Sequence, residues 1–128
     1  MGSAPKLPIN VPKSIEFINK LTAKTDQGKV TWRKGDDSFF TTLGDGIRVD
    51  LIVVRDEVGE YSFKRFLVQT PKAVEFEYAN PHATANRYIM SILSGGNPML
   101  AALDKLVQVV SRQTDKGLSR AIDALDDL

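Results

Sequence analysis

The sequence predicts one α+β domain: an N-terminal helix, a five-stranded antiparallel β-meander, and two or three C-terminal helices packed on one sheet face. Apolar residues recur with a helical period near both ends of the chain and with a period of two through its middle. Short turn sequences separate the alternating runs, so consecutive strands are expected to pair antiparallel with their neighbours.

The composition is typical of a globular domain that needs no disulfides. Of the 128 residues, 42% are hydrophobic, 26% are charged and none is cysteine. The lack of cysteine excludes thiolate metal sites and a cysteine nucleophile, and it fits a reducing cytoplasm. No apolar core of a signal peptide occurs in residues 1–12, so a cytoplasmic location without membrane contact is expected.

The N-terminal part is predicted to be an extended arm over residues 1–11, followed by a single domain over 12–128. Prolines in the arm remove backbone donors and favour extended conformations. The first helix is predicted over Pro12–Thr25, with an apolar stripe on one side. Gly28 is suited to the left-handed conformation that ends a helix.

Five strands are predicted to follow. The turn at Asp45–Gly46 is typical of a hairpin that requires positive φ. The fourth strand changes its apolar phase after Phe63, which predicts a β-bulge near Lys64–Arg65. The first predicted strand contains Val30 and Trp32. The other four are Ser38–Leu43, Ile47–Arg55, Glu60–Gln69 and Val74–Tyr78.

Two helical segments are predicted near the C-terminus. Asn97 and Pro98 have the residue types of an N-cap and a first helical position. The last helix is expected to be interrupted or kinked over residues 114–117 and then to resume its stripe. The predicted apolar faces are Ala85, Tyr88, Ile89, Ile92 and Leu93 in the first segment, and Leu100, Leu103, Leu106, Val107 and Val110, continued by Leu118, Ile122 and Leu125, in the second.

Charge is distributed unevenly, although the net charge is only +1. Residues 1–35 are basic and the remainder is acidic, an asymmetry typical either of a binding face or of a solvated lysine-rich helix. Lys20, Lys24 and Arg33 are the basic residues we assign to an interaction surface. Four apolar residues are assigned to an uncovered face of the sheet, as the rest of that surface: Phe40, Ile52, Val54 and Phe66.

Candidate ligand-binding residues are Gly95, Gly96 and Asn97, because they precede a helix N-terminus, where backbone N–H groups can hold an anion. They lack the lysine and the spacing of a P-loop. The single histidine, His82, has no assignable catalytic partner, and the acidic pairs fit turn formation better than cation binding. No catalytic residue, metal site or cofactor is predicted.

The leading functional hypothesis is a small non-enzymatic protein–protein interaction domain of the adaptor, immunity or inhibitor type, whose partner is another protein or a second copy. The alternatives are a small-ligand or nucleotide-binding domain and a weak nucleic-acid binder through the basic N-terminal third. The near-neutral charge disfavours nucleic acid.

Overall fold

The computed structural model describes residues 11–55, 60–80 and 87–128, without the side chains of Val11, Arg87 and Ser94. It confirms the α+β class and the predicted order of elements. The predicted arm lies outside the described residues except for Val11, which begins the first helix. The elements are α1 (Val11–Asp26), β1 (Arg33–Lys34), β2 (Ser38–Thr42), β3 (Arg48–Arg55), β4 (Tyr61–Gln69), β5 (Val74–Ala79), α2 (Arg87–Ser94) and α3 (Pro98–Asp126).

The sheet is the predicted meander, with strand order β1-β2-β3-β4-β5 and every described pairing antiparallel. One face, called here the inner face, shares a core with α1 and α3, and the other face is called the outer face. Burying alternate strand residues against helices is what stabilises a layered domain of this kind. The inner face contributes Phe39, Val49, Leu51, Val53, Phe63, Phe66 and Val68 to the core, and the helices contribute Ile18, Leu21, Leu100, Leu103, Leu106, Val107 and Val110.

The predicted bulge in β4 lies at Lys64, because Arg65 pairs with Ile52 while Phe63 pairs with Val53. The buried Asn80 fixes the bulge: its N–H donates to the Lys64 carbonyl and its Nδ2 to the Phe63 carbonyl, both at 2.9 Å. Carbonyls that a bulge removes from the strand ladder are satisfied in this way.

The assignment of Phe66 to the uncovered face was wrong. Phe66 pairs directly with Leu51, and both side chains are fully buried on the inner face. Directly paired residues of an antiparallel ladder project to the same side. The extra residue at Lys64 therefore keeps Phe63 and Phe66 on one face, although three positions separate them.

The first predicted strand is shorter than expected, since β1 contains only Arg33 and Lys34. Trp32 precedes it and is buried in the core, where its indole Nε1 donates to Thr25 Oγ1 at 2.9 Å. Its backbone N–H donates to the side chain of Gln113 rather than to a neighbouring strand. The Gln113 side chain of α3 thus accepts the hydrogen bond that a neighbouring strand would otherwise accept from the Trp32 N–H.

The end of α1 and the hairpin turn follow the predictions. Gly28 has φ +76°, and the N–H groups of Gly28 and Lys29 donate to the carbonyls of Thr25 and Lys24. This is a Schellman motif, which satisfies carbonyls at a helix C-terminus. In the β2–β3 turn, Asp45 and Gly46 both have positive φ.

The C-terminal helices differ from the predictions in two respects. The predicted interruption over 114–117 is absent, because α3 runs continuously from Pro98 to Asp126. A single glycine in a helix interior costs only about 1 kcal/mol relative to alanine, which the rest of a long helix tolerates. In α2, Met90 is the fully buried residue, whereas Tyr88 and Ile92 of the predicted apolar face are exposed.

Candidate functional site

The predicted ligand-binding residues form a connection between α2 and α3. Gly95 and Gly96 are exposed, and Asn97 is the N-cap of α3. The Asn97 Oδ1 accepts hydrogen bonds from the N–H groups of Met99 and Leu100. Two of the donors that would hold an anion are therefore already used by the cap.

The outer face of the sheet carries Phe40, Ile52 and Val54, which are half-buried rather than freely exposed. The Arg48 guanidinium lies 4.7 Å from the centre of the Phe40 ring and forms hydrogen bonds of 3.0–3.1 Å with the Asp50 carboxylate. Hydrogen bonding to Asp50, and then the charge of that carboxylate, raise the pKa of Arg48. A second ion pair, between Arg65 and Glu77, lies on the same face.

The predicted basic residues are divided between two surfaces. Lys20 and Lys24 are exposed on α1, where Lys20 pairs with Glu16 at 3.1 Å. Arg33 is exposed on β1, directly across from Phe40 on the outer face. These residues therefore do not form one patch. His82 lies outside the described residues.

An exposed surface is formed by the end of α3, here called the overhang and defined as residues 115–128. Every residue of the overhang is exposed. Its helical part, 115–126, extends about 18 Å at a rise of about 1.5 Å per residue. The predicted inward stripe does not continue here, because Leu118, Ile122 and Leu125 are 63%, 51% and 66% exposed.

The α1–α3 cleft is a second feature that the sequence analysis did not identify. It lies between the end of α1 and the middle of α3 and has a volume of about 410 Å³. Thr25, Gln27 and Gly28 line one side. Three cations of α3, spaced four residues apart, line the other side: Arg112, Lys116 and Arg120.

The floor of this cleft is fixed by Gln113. Its Oε1 accepts from the Trp32 N–H at 2.9 Å, and its Nε2 donates to the Val30 carbonyl at 2.7 Å and to the Thr25 carbonyl at 3.4 Å. One side chain thus joins α3 to the end of α1 and to the segment that leads into β1. Such a network makes the floor rigid, because both the oxygen and the nitrogen of the side-chain amide are hydrogen-bonded.

The walls of the cleft carry unbalanced charge. Arg112, Lys116 and Arg120 form no ion pair within 4 Å of another described residue, and Asp26 is the one acidic residue lining the cleft. The i, i+4, i+8 spacing of these cations is visible in the sequence. Their position opposite the end of α1 is not visible, since it depends on packing between distant segments.

The described part of the chain contains neither a metal-binding cluster nor a membrane-spanning helix. No three metal-ligating side chains lie close enough together there to hold a metal ion. No helix within residues 11–55, 60–80 and 87–128 has the length and apolar character needed to cross a membrane.

Comparisons with known proteins identify no relative. No protein-family model matches the chain, and no curated protein or solved structure is significantly similar to it.

Proposed function

We propose that this chain is a non-enzymatic protein-interaction domain that associates through the overhang, with a second copy of the chain as its partner. The observation that carries the proposal is the exposure of Leu118, Ile122 and Leu125 on the part of α3 that extends beyond the domain core. These residues have the i, i+4, i+7 spacing of an apolar stripe that packs against another element.

The overhang has little support within its own chain. Isolated helices shorter than about 12–15 residues are marginal in water, and most helices gain their stability from packing of an apolar face. All overhang residues are exposed. A partner that covered the stripe would therefore stabilise the helix and bury its apolar side chains in one step.

A second copy fits the stripe because its spacing reads the same in both directions. Leu118, Ala121, Ile122 and Leu125 follow one another at intervals of three, one and three residues. In an antiparallel pair, Leu118 would lie level with Leu125 of the second copy, and Ala121 with Ile122. Two-fold symmetric interfaces require a self-complementary surface of this kind.

The charged residues Lys116, Arg120 and Asp123 lie on the opposite side of the helix from the stripe, about 140–200° around its axis from Leu118. They therefore leave the stripe free for an apolar contact with the second copy.

The expected association is concentration-dependent. Only three large apolar side chains of each copy, Leu118, Ile122 and Leu125, would meet in the pair. Their burial has to offset the translational and rotational freedom that two chains lose on association. Monomer and dimer should therefore interconvert as the protein is diluted.

Light scattering after size-exclusion chromatography tests this proposal over a concentration series. Wild-type protein should change from the 14.1 kDa monomer towards twice that mass as concentration rises. The double variant Leu118→Glu/Ile122→Glu should remain monomeric, because it places charges in the stripe. The matched control Tyr88→Glu/Ile92→Glu changes two exposed apolar residues of α2 and should dimerise like wild type.

Wild-type protein that stays monomeric at every concentration overturns the second copy as partner. The wider proposal then requires a protein that is retained by wild type and the α2 control but lost by the overhang variant. If no such protein exists, the interaction function is rejected.

Cysteine cross-linking tests the orientation, since the chain has no natural cysteine. A mixture of Leu118→Cys and Leu125→Cys variants should form the mixed disulfide in an antiparallel pair. Disulfides formed by each variant with itself would show a parallel pair instead.

A further inference from the structure

The α1–α3 cleft presents a row of cations along one helix. Arg112, Lys116 and Arg120 repeat at four-residue intervals, so their Cα atoms span about 12 Å along α3. An anion whose charges repeat along its length can meet successive members of the row. A single carboxylate can meet only part of it.

The opposite wall does not compete strongly with such an anion. Helix C-termini carry partial negative charge on their free carbonyls. At the end of α1 the carbonyls of Ala23, Lys24 and Thr25 already accept backbone hydrogen bonds in the terminal turn. Asp26 supplies one formal negative charge against three positive ones, so the cleft is positive overall.

The size and lining of the cleft indicate the class of ligand. A volume of about 410 Å³ falls within the range of small-molecule sites, which is about 300–1,000 Å³. Among the described residues, its lining includes one large apolar residue, Val109, and no aromatic ring. Sequence-tolerant binding of single-stranded nucleic acid depends mainly on aromatic side chains, so this lining favours a small ligand over a nucleic acid.

We infer that the α1–α3 cleft binds a small anion carrying two or more linked phosphate groups, held by Arg112, Lys116 and Arg120 above the floor formed by Gln113. Arginine and lysine are the side chains that bind phosphate most strongly. This binding does not depend on the proposed dimer. Lys116 and Arg120 are each two residues from Leu118, about 200° around the helix, so they lie on the opposite side of α3 from the apolar stripe.

Titration with inorganic tripolyphosphate, followed by Trp32 fluorescence, tests this inference. Trp32 is the only tryptophan, and it donates hydrogen bonds to two residues of the cleft, Thr25 and Gln113. Binding should give a saturable change in emission, and orthophosphate should bind at least about tenfold more weakly because it spans fewer cations. Calorimetric titration provides a second readout that does not depend on the indole.

The triple variant Arg112→Gln/Lys116→Gln/Arg120→Gln should raise the Kd for tripolyphosphate at least about tenfold. All three side chains are exposed, so circular dichroism should show an unchanged fold. The matched control Lys64→Gln/Lys72→Gln/Lys105→Gln removes the same charge from exposed residues that do not line the cleft, and it should bind like wild type.

Three outcomes would overturn the inference. The first is the absence of saturable binding of tripolyphosphate. The second is equal weakening in both triple variants, which would show only a general effect of net charge. The third is tight binding of a single-stranded oligonucleotide without binding of tripolyphosphate, which would make the cations part of a nucleic-acid surface.

Discussion

Ser62 and Thr41 are buried hydroxyl residues of the sheet that differ in their hydrogen bonding. The Ser62 Oγ has no partner among the described residues, whereas Thr41 Oγ1 donates to the Thr31 carbonyl at 2.8 Å. Burial of an unpaired hydroxyl is unfavourable, while loss of one partner of a hydrogen bond leaves the other unsatisfied.

Ser62→Ala should therefore leave the free energy of unfolding unchanged or raise it by about 1 kcal/mol. Thr41→Val, which keeps the shape of the side chain, should lower it by about 1 kcal/mol. Urea denaturation of both variants measures the difference. A clear loss of stability in Ser62→Ala would show that the hydroxyl has a hydrogen-bond partner.

Gln113 is the residue that joins the two walls of the cleft. Gln113→Met keeps the length of the side chain but removes its hydrogen bonds to the Trp32 N–H and the Val30 carbonyl. The free energy of unfolding should fall by about 1–3 kcal/mol, because two partly buried backbone groups lose their partner. Gln27→Met, an exposed residue of the same cleft, is the control and should have little effect.

At the scale of elements, Gly28 and Gly117 show how one substitution can have opposite effects. An added Cβ would meet no atom within 4 Å at either position. Gly28 has φ +76° beyond the end of α1, whereas Gly117 lies inside α3. The difference therefore depends on backbone conformation and not on space.

Gly28→Ala should lower the free energy of unfolding by about 1–2 kcal/mol, the cost of the left-handed conformation for a residue with a Cβ. Gly117→Ala should stabilise its helix by about 1 kcal/mol. Urea denaturation reports the first effect. Amide hydrogen exchange within 115–126 reports the second, and exchange there should slow by a factor of about 5. Faster exchange would contradict a continuous helix through Gly117.

At the scale of the whole molecule, local patterns predicted most of the fold because strands adjacent in sequence are also adjacent in the sheet. The Asp45–Gly46 turn and the cap at Asn97 each depend on residues within one short segment, and the bulge at Lys64 is visible in the apolar pattern of its own strand. The exposure of Leu118, Ile122 and Leu125 could not be predicted in this way. A helical apolar period is the same whether the stripe meets the core or a partner.

The cleft also could not be predicted, because it combines segments that are far apart in the sequence. Gln113 and Thr25 are 88 residues apart, and only the packing of α1 against α3 brings them together. Of the four residues assigned to the uncovered face, Phe40, Ile52 and Val54 lie on the outer face of the sheet, whereas Phe66 is buried on the inner face. That error came from placing the residues after the bulge on the wrong side.

The contact between α1 and α3 has a consequence for the order of events during synthesis. At a translation rate of about 5–20 residues per second, the 88 residues between Thr25 and Gln113 take roughly 4–18 s to appear. Hairpins of the meander can form within microseconds, so the sheet can be complete before its covering helix exists. From Ala79, the end of the sheet, to Gln113 there are 34 residues, which take roughly 2–7 s, and during those seconds the inner face, with Phe39 and Leu51, has no complete α3 to cover it. The nascent chain is then most exposed to aggregation and to chaperones, and the arrival of α3 ends that interval.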